Sequence, residues 1–383
     1  MSRDAKQLLI AGGGTGGHVF PALAVAREWL RRGAPGGREG SLEPGSASGP
    51  DSTHQGERGV VFVGTKLGIE ARLVPQAGLP FEPIRIAGLK GIGSGKFLRN
   101  AAMLPAGLWD SERILRRYRF DAALGVGGYA SGPMILLALL HGIPGVIFEP
   151  NVEPGFTNRV LARLATRVAV AHPQTASQLG RRAVVTGCPV RQEFFAVPPK
   201  PHGPPFNVLI TGGSQGAAPI NRAVVGALAQ FATKKNQLFI VHQTGERDYN
   251  AVRTAYAQHD LRAEVVAFIE NMAERFARAD LIVCRSGAIT VAEVSASGRA
   301  AIFIPFGAAT DAHQARNAAA MQQAGAARLL PQAELTPGRL ATEIFSLLDE
   351  PRKIEDMEAR ARALARPRAV EDLVNLLEEV AAR

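Results

Sequence analysis

Residues 10–21 read Ile10-Ala11-Gly12-Gly13-Gly14-Thr15-Gly16-Gly17-His18-Val19-Phe20-Pro21. The apolar run before the glycines predicts a buried strand, and the helical spacing of apolar residues after them predicts a helix. A strand, a glycine turn and a helix together point backbone N–H groups and the positive end of a helix dipole at an anion. His18 would stand at the mouth of this turn, where a titratable side chain can do chemistry. We interpret the stretch as half of an active site.

The second half of the chain restarts the same pattern. Asn207–Ile210 is strand-like, Thr211–Ala217 is rich in glycine, and a helix begins near Pro219. Strand-like and helix-like segments alternate throughout, which is typical of α/β proteins with parallel sheets. The sequence therefore predicts two Rossmann-like domains that face each other across a cleft. The predicted boundaries are 1–190 and 206–365, with 191–205 as the linker and a C-terminal helix, 366–383, that packs back on the first domain.

The composition is that of a soluble globular protein, with 46% hydrophobic and 20% charged residues among 383. The two cysteines, Cys188 and Cys284, show no metal-ligand spacing, so we expect a reducing, cytoplasmic environment. We see no signal peptide, and the longest apolar run, Pro133–Leu140, is too short to span a bilayer. Residues 34–58 contain almost nothing apolar, and they predict a surface insertion without an assigned function.

Basic residues are concentrated in the first half of the chain. Residues 1–190 hold 22 Lys and Arg against 13 Asp and Glu, whereas residues 191–383 hold 22 against 21. This asymmetry indicates an anionic partner or surface for the first domain, unless the chain is simply rich in arginine. Nucleic acid is not expected as that partner, because aromatic residues are only 6% and no nucleic-acid module is recognisable.

Residues 89–109 mix a row of apolar residues with Lys90, Lys96 and Arg99, and four arginines follow by residue 119. Such a segment can lie in a membrane interface that contains anionic lipid. The same apolar face can equally pack on the core of the domain. The sequence leaves both readings open, and reversible membrane docking is our hypothesis.

Other predicted strands end in loops that can line a site, because ligands bind at the carboxyl ends of parallel strands. Tyr129 lies in a second glycine loop, 127–133, and Asn151 follows the strand 145–148. In the second half, Cys284–Gly287 precedes a helix start with free amides and Glu293 one turn in. A diphosphate at those amides and a ribose on Glu293 would fit a bound nucleotide. The cluster Asp311–Asn317 is either part of a site or a helix cap by Asp311.

Gly12, Gly14 and Gly17 also fit the spacing of a dinucleotide-binding fingerprint. That fingerprint requires an acidic residue that closes the second strand and holds a ribose. The second predicted strand, Val60–Val63, ends in Gly64-Thr65 without an acid. This argues against a dinucleotide oxidoreductase, and a purely structural glycine turn remains an alternative.

Four motifs in this order resemble those of the MurG family of bacterial N-acetylglucosaminyltransferases, glycosyltransferase family 28. They are Gly13–Pro21, Gly127–Pro133, Gly212–Ala217 and Arg285–Glu293, and the resemblance runs from about residue 7 to residue 380 outside the insertion. It implies a glycosyltransferase B-type fold with an acceptor domain first and a UDP-sugar domain second. It also implies a peripheral protein on the cytoplasmic face of the inner membrane that acts on lipid I, with other cell-wall synthesis proteins as further partners.

The same resemblance implies site residues. Catalytic roles fall on His18, Tyr129 and Glu149. The acceptor diphosphate would contact Gly13, Gly14, His18, Gly128 and Tyr129. The donor, UDP-N-acetylglucosamine, would contact Thr15, Gly16, Gly17, Asn151, Arg191, Ser214, Ile269, Ala288, Ile289, Thr290, Val291, Ala292, Glu293 and Gln314. The chain departs from the family pattern at Pro150, which removes an N–H donor, and in residues 307–313, which leaves His313 less well supported than Gln314.

The implied reaction is an inverting displacement of UDP by the C4 hydroxyl of the acceptor sugar. Helix amides at Ala288–Thr290, together with Ser214, can stabilise the leaving diphosphate, and no Asp-x-Asp pair at a strand end demands a metal. We therefore expect neither a metal nor a cofactor. His18 has a suitable pKa for a general base, but it can instead only position the acceptor diphosphate. The alternatives are a UDP-N-acetylglucosamine 2-epimerase and a non-enzymatic nucleotide-binding module.

Overall fold

The computed structural model of the protein describes residues 6–14, 16–34, 58–87, 103–307 and 312–382. The chain forms two compact units, one of Met1–Pro189 with Arg368–Arg383 and one of Val190–Pro367. The segment 191–205, predicted as a linker, belongs to the second unit, where Phe194 is fully buried. Most of the predicted insertion, residues 35–57, lies outside the described residues.

The first unit is an α/β unit. Its strands are β1 (Lys6–Gly12), β2 (Arg58–Thr65), β3 (Phe81–Ile84), β4 (Ala122–Gly127), β5 (Gly145–Glu149), β6 (Arg167–Val170) and β7 (Ala183–Val185). Its helices in the described ranges before residue 190 are α1 (Gly16–Arg32), α2 (Glu70–Gln76), α3 (Leu104–Arg117), α4 (Ser131–Leu140), α5 (Phe156–Leu161) and α6 (Pro173–Leu179).

The seven strands form one parallel sheet in the order β3-β2-β1-β4-β5-β6-β7. Strand β1 lies inside the sheet, between β2 and β4, and its run of Leu8, Leu9 and Ile10 is fully buried, as expected for a parallel sheet that is covered on both faces. The strand order reverses between β1 and β4. The loops that follow these two strands therefore share one edge of the sheet, at the topological switch point where α/β sheets bind ligands.

The second unit repeats this architecture. Its strands are β8 (Phe206–Thr211), β9 (Leu238–Gln243), β10 (Ala263–Val266), β11 (Leu281–Cys284), β12 (Ala301–Phe303) and β13 (Arg328–Leu329). Its helices are α7 (Gln192–Phe195), α8 (Ala218–Ala232), α9 (Tyr249–Ala257), α10 (Met272–Arg278), α11 (Ala288–Ser297), α12 (Ala312–Gln323), α13 (Pro337–Leu348) and α14 (Pro351–Ala363), with a 3-10 turn at Gln332–Glu334.

The second sheet is also parallel, in the order β10-β9-β8-β11-β12-β13, and its switch point lies between β8 and β11. The prediction of two α/β units with parallel sheets is confirmed. Helix α7 and strand β13 were not predicted from the sequence. Both are too short to show a periodic pattern, since α7 has four residues and β13 has two.

Helix α15 (Ala369–Ala381) belongs to the first unit, although it follows every element of the second unit in the sequence. Leu373, Leu377 and Val380 on one face of this helix are fully buried. Arg32 of α1 and Arg58 of β2 both form ion pairs with Glu378 of α15, at 2.8 and 2.6 Å. The apolar contacts hold the helix to the unit, and the ion pairs fix its register against α1 and β2.

A buried polar cluster holds residues 198–205 on the second unit. The Nδ1 of His202 lies 2.7 Å from Asp280 Oδ1, and Arg299 donates to the Pro198 carbonyl at 2.8 Å. Hydrogen bonds to Asp280 and Glu358 raise the pKa of His202 to about 9, so the imidazole is charged at neutral pH. The segment therefore packs as part of the second unit.

Candidate functional site

Two glycine loops that are far apart in the sequence meet in the first unit. The amide of Gly13, after β1, donates to the carbonyl of Gly127, at the end of β4, at 3.3 Å. Gly128 follows with a φ of +81°, and a Cβ built on it would overlap the Gly13 carbonyl oxygen. Only glycine fits such a close approach in the left-handed region. The structure thus brings together the first two predicted motifs.

His18 lies in the first turn of α1, against the second of these loops. Its Nδ1 is 3.1 Å from the carbonyl oxygen of Gly13, and a Cβ on Gly127 would lie 2.9 Å from the imidazole ring. A carbonyl oxygen only accepts hydrogen bonds, so Nδ1 carries the proton and Nε2 holds the lone pair. Burial lowers the pKa of His18, against the hydrogen bond to Gly13 and the nearby carboxylates of Glu149 and Glu70. The imidazole is therefore neutral at pH 7.

Glu70, the first residue of α2, is fully buried beneath the first loop. Its carboxylate accepts from the amide of Gly14 at 2.7 Å and from the amide and hydroxyl of Thr65, both at 2.9 Å. This residue was not predicted from the sequence, because an acid five positions beyond Thr65 does not match the fingerprint spacing. Glu70 does reach the end of β2, but three protein donors already occupy its oxygens, so it does not present itself to a ribose.

These contacts change the expected role of two glycines. Gly13 and Gly14 were predicted to offer their amides to the acceptor diphosphate. In the structure the Gly13 amide donates to Gly127 and the Gly14 amide donates to Glu70. The amides without an intrahelical acceptor in this region are those in the first turn of α1, which begins at Gly16. An anion at this loop would meet that turn rather than Gly13 and Gly14.

Glu149, a predicted catalytic residue at the end of β5, organises the loop that follows it. It is 2% exposed and accepts from the Asn151 amide and side chain, each at 3.0 Å, the Gly155 amide at 2.9 Å and the Asn158 side chain at 3.0 Å. Four donors match the four acceptor sites of a carboxylate. This geometry is that of a positioning group. Tyr129, by contrast, is 54% exposed and accessible to a ligand.

In the second unit, the loop after β8 is braced from below. Thr211 donates to the side chain of Gln243 and accepts from the Gly213 amide at 3.2 Å, and Gln243 donates to the Gly213 carbonyl at 3.0 Å. Both polar side chains are buried, so the network holds the backbone of the glycine turn rigidly. Ser214, the predicted donor contact, is exposed at the tip of this turn.

The N-terminus of α11 lies on the other side of this switch point. Gly287 precedes the helix without a side-chain cap, and Ala288, Ile289 and Thr290 of the first turn are partly accessible. Uncapped amides and the helix dipole favour a bound phosphate or diphosphate. Arg285, just before the turn, donates to the carbonyls of Ile304 and Pro305, both at 3.0 Å. It fixes the loop rather than reaching into solvent.

Glu293 lies one turn into α11, and its side chain is 16% exposed. Arg191 Nη2 is 3.7 Å from its carboxylate. Burial raises the pKa of Glu293 to about 7 and nearby Glu193 adds to the rise, against the attraction of Arg191. A carboxyl group beside an uncapped helix start can accept hydrogen bonds from the hydroxyl groups of a ribose.

Two further predicted residues flank these elements. Ile269 is buried in the wall of an open cavity of about 220 Å³, next to Phe268 and Asn271. Gln314, in the first turn of α12, accepts from the Phe306 amide at 3.0 Å, and its carbonyl accepts from Ser286 at 2.8 Å. Val291 points into the core at 3% exposure, whereas Ala292 and His313 are partly accessible.

Several predictions fall on residues outside the described ranges. These are Thr15, Asp311 and most of the segment 89–109. The described end of that segment begins α3, where Leu108 and Trp109 are exposed at 36% and 68% rather than packed on the core. Within the described ranges, no three His, Cys, Asp or Glu side chains are placed to hold a metal ion. No helix in those ranges is long and apolar enough to cross a membrane.

Comparison with known proteins gives consistent matches along the chain. The model of the glycosyltransferase family 28 N-terminal domain matches residues 34–170, and that of the C-terminal domain matches residues 207–373. A UDP-N-acetylglucosamine--N-acetylmuramyl-(pentapeptide) pyrophosphoryl-undecaprenol N-acetylglucosamine transferase of Solibacter usitatus is 43% identical and covers 98% of this chain and 97% of its own. The protein of the same name from Myxococcus xanthus is 42% identical, with 97% and 92% covered.

Among solved structures, the crystal structure of Acinetobacter baumannii MurG is 33% identical in sequence, with a TM-score of 0.75. The match covers 98% of this chain and 99% of that chain. The similarity therefore extends over both units.

The close approach of the two loops in the first unit gives a direct test. We expect Gly128→Ala to lower the free energy of unfolding by about 2 kcal/mol or more, because the new Cβ needs a left-handed backbone and overlaps Gly13. Gly132→Ala is the matched control, since a Cβ there meets only Thr157 Cγ2 at 3.5 Å. Urea unfolding followed by circular dichroism compares the two. Equal midpoints for both variants would contradict this packing.

Proposed function

This chain belongs to glycosyltransferase family 28, and we propose that it transfers N-acetylglucosamine from UDP-N-acetylglucosamine to lipid I, the polyprenyl-diphosphate muramyl pentapeptide. The products are lipid II and UDP. The relatives from Solibacter usitatus and Myxococcus xanthus carry a name that states this donor, this acceptor and this transferred group. The fold, with two parallel α/β units, is that of glycosyltransferases of the B type.

The observation that supports the donor side best is the uncapped N-terminus of α11 with Glu293 one turn further along. The diphosphate lies at the amides of Ala288–Thr290, where the helix dipole stabilises its charge. The ribose hydroxyls donate to Glu293, and the uracil lies beside Ile269. Ser214 and Gln314 complete the donor contacts of the second unit.

The acceptor side of the proposal uses the first unit. The acceptor diphosphate lies at the first turn of α1, near Gly128 and Tyr129. The acceptor C4 hydroxyl attacks the anomeric carbon, the bond from that carbon to the UDP oxygen breaks, and the configuration inverts. His18 Nε2 takes the hydroxyl proton, because the neutral imidazole has its lone pair there.

The leaving UDP gains negative charge as the bond breaks. Backbone amides held in place before the reaction stabilise that charge without reorganisation. The proposal therefore needs neither a metal nor another cofactor at the diphosphate.

The test of this proposal is an assay with the full chain, labelled UDP-N-acetylglucosamine and lipid I. We expect labelled lipid II and one UDP released for each sugar transferred. A control without lipid I separates transfer from epimerisation, because a 2-epimerase acts on the nucleotide sugar alone. If no labelled sugar is found in the lipid when both substrates and a membrane-like detergent are present, the proposal is contradicted.

Replacement of Glu293 tests the ribose contact. We expect Glu293→Gln to raise the donor KM about tenfold or more, because a charge-assisted hydrogen bond is lost. In the wild type the carboxylate fraction rises with pH around the pKa of about 7, so the donor KM falls from about pH 6 to about pH 8. The variant loses this dependence. The control is Glu343→Gln, because Glu343 is a partly buried glutamate on α13 that pairs with Arg328 of β13. A donor KM that stays at the wild-type value in both variants would remove Glu293 from the site.

Replacement of His18 distinguishes its two candidate roles. If Nε2 is the base, His18→Gln lowers kcat about 10²- to 10⁴-fold, and the loss of activity at low pH disappears from the profile. If the imidazole only positions the acceptor, the KM for lipid I rises while kcat is retained. Initial rates at varied lipid I and saturating donor separate these results. Unchanged turnover would exclude the base.

We also propose that the first unit docks on the cytoplasmic face of the inner membrane, as a peripheral protein. Trp109 and Leu108 are exposed on α3, and Arg113 and Arg116 lie on the same helix. Tryptophan favours the membrane interface, and arginine is attracted to anionic headgroups. Docking would give the site access to an acceptor that is embedded in the bilayer.

Vesicle sedimentation tests this docking. We expect the protein to sediment with phosphatidylglycerol vesicles at low salt and much less with phosphatidylcholine vesicles, and Trp109→Ala to weaken binding several-fold. Leu364→Ala removes an exposed apolar side chain from the second unit, 42% exposed against 68% for Trp109, and serves as the control. Binding that neither depends on lipid charge nor responds to Trp109→Ala would contradict the proposal.

A further inference from the structure

Glu70 is a buried carboxylate beneath the first glycine loop, and the proposed reaction assigns it no role. It is 0% exposed, and its three hydrogen bonds come from Gly14 and Thr65. The bond from the Gly14 amide, at 2.7 Å, has the length of a charge-assisted hydrogen bond. Burial of a carboxylate without hydrogen-bond partners costs free energy, so a buried carboxylate is expected to accept hydrogen bonds from nearby donors.

The surrounding glycines make room for this carboxylate. A Cβ built on Gly13, Gly64 or Gly68 would overlap side-chain atoms of Glu70 in each case. Three elements therefore surround one carboxylate: the loop after β1, the end of β2 and the turn before α2. Gly64 and Gly68 have ordinary backbone φ values, so close packing against Glu70 accounts for them.

The glycine loop connects Glu70 to His18. Gly14, which donates to Glu70, follows directly on Gly13, whose carbonyl faces His18 Nδ1 at 3.1 Å. The direction of that carbonyl sets which ring nitrogen bears the proton and where Nε2 points. By holding the Gly13–Gly14 backbone in place, Glu70 thus orients the imidazole indirectly, through the Gly13 carbonyl.

We propose that Glu70 is a positioning residue for the transfer reaction: it fills the glycine loop with an internal negative charge, fixes the Gly13 carbonyl against His18 and so orients the base. This inference rests on the proposed function for its effect on turnover, but not for its effect on the imidazole. The internal carboxylate also takes the amide that an external anion would otherwise use, which directs the acceptor diphosphate to the first turn of α1.

The charge of Glu70 acts on His18 as well. The carboxylates that face the imidazole are Glu149 at the end of β5 and Glu70 at the start of α2, and both favour its protonated form. Removal of either charge makes protonation less favourable. Glu70→Gln is therefore expected to lower the pKa of His18, whereas loss of packing alone would expose the ring and raise its pKa towards the ordinary value.

The experiment measures three quantities in the full chain. They are the pKa of His18 from imidazole NMR resonances, the amide resonance of Gly14, and kcat for transfer to lipid I. For Glu70→Gln we expect the pKa to fall by about 0.5 or more, the Gly14 resonance to move upfield, and kcat to drop about tenfold or more. The midpoint of urea unfolding, followed by circular dichroism, serves as the folding check, because Glu70 lies in the first unit and UDP binding at the second unit would not report on it.

Glu82→Gln is the matched control. Glu82 lies on β3 of the same unit, and its side chain is 16% exposed. Its carboxylate accepts from Arg117 at 3.1 Å and from Tyr118 at 2.8 Å. The substitution therefore removes one negative charge at a residue whose hydrogen bonds are not to the glycine loop. We expect it to leave all three quantities near their wild-type values. A Glu70→Gln variant that stays folded and retains the pKa of His18 and kcat would overturn the proposal.

A second pair of variants covers the case in which Glu70→Gln does not fold. Thr65→Val removes one donor and keeps the charge, so it should shift the Gly14 resonance and lower kcat a few-fold, and Thr65→Ser should recover most of that loss. A Thr65→Val protein without either change would also overturn the proposal. If the wild type transfers no sugar, the proposed function fails, while the pKa of His18 and the Gly14 resonance still decide the role of Glu70.

Discussion

The close approach of two backbones in the first unit constrains everything around the candidate base. The Gly13 amide donates to the Gly127 carbonyl, and the Gly13 carbonyl accepts from Nδ1 of His18. Gly128, which has no Cβ, leaves room for that carbonyl. This approach requires β1 and β4 to be neighbours, which in turn requires the reversal of strand order between them. The topology of the sheet, the glycines of two distant loops and the protonation state of one imidazole are therefore one connected arrangement.

The second unit also holds a glycine turn in place by hydrogen bonds, but with neutral side chains. Its glycine turn after β8 is held by Thr211 and Gln243, both neutral, and its proposed diphosphate site is the uncapped start of α11. The first unit braces its turn with a charged group, Glu70. A neutral brace leaves the positive potential of a helix start intact for a diphosphate, whereas a carboxylate reduces it and favours a protonated histidine. The two turns resemble each other in sequence but differ in electrostatics.

Much of this could be predicted from the sequence. Alternating apolar runs and glycine turns indicated both sheets, and a strand that starts at Asn207 marked the second one, because such patterns are local and periodic. The partners of individual side chains could not be predicted in this way. The family resemblance implied a catalytic role for Glu149, yet its carboxylate accepts from Asn151, Gly155 and Asn158, contacts that exist only once the loop has folded.

Glu70 is a residue of the site that could not be predicted from the sequence pattern. No acid follows Val60–Val63 directly in the sequence, and Glu70 reaches the end of β2 only because the turn before α2 brings it back there. The spacing of Gly64 and Gly68 around it was the available signal, but glycines near a turn are common for conformational reasons alone. Spatial packing against a carboxylate, rather than a turn conformation, accounts for them, and that cannot be read from a linear pattern.

The return of α15 to the first unit has a consequence for synthesis of the chain. Leu373, Leu377 and Val380 are buried in a unit whose strands are all synthesised earlier, so an emerging polypeptide lacks this layer until residues 369–381 have left the ribosome. The unit of Val190–Pro367 is contiguous and can fold earlier. The first unit is thus completed after the second, and a premature stop between residues 368 and 373 would leave an apolar gap in the first unit rather than a cleanly separated fragment.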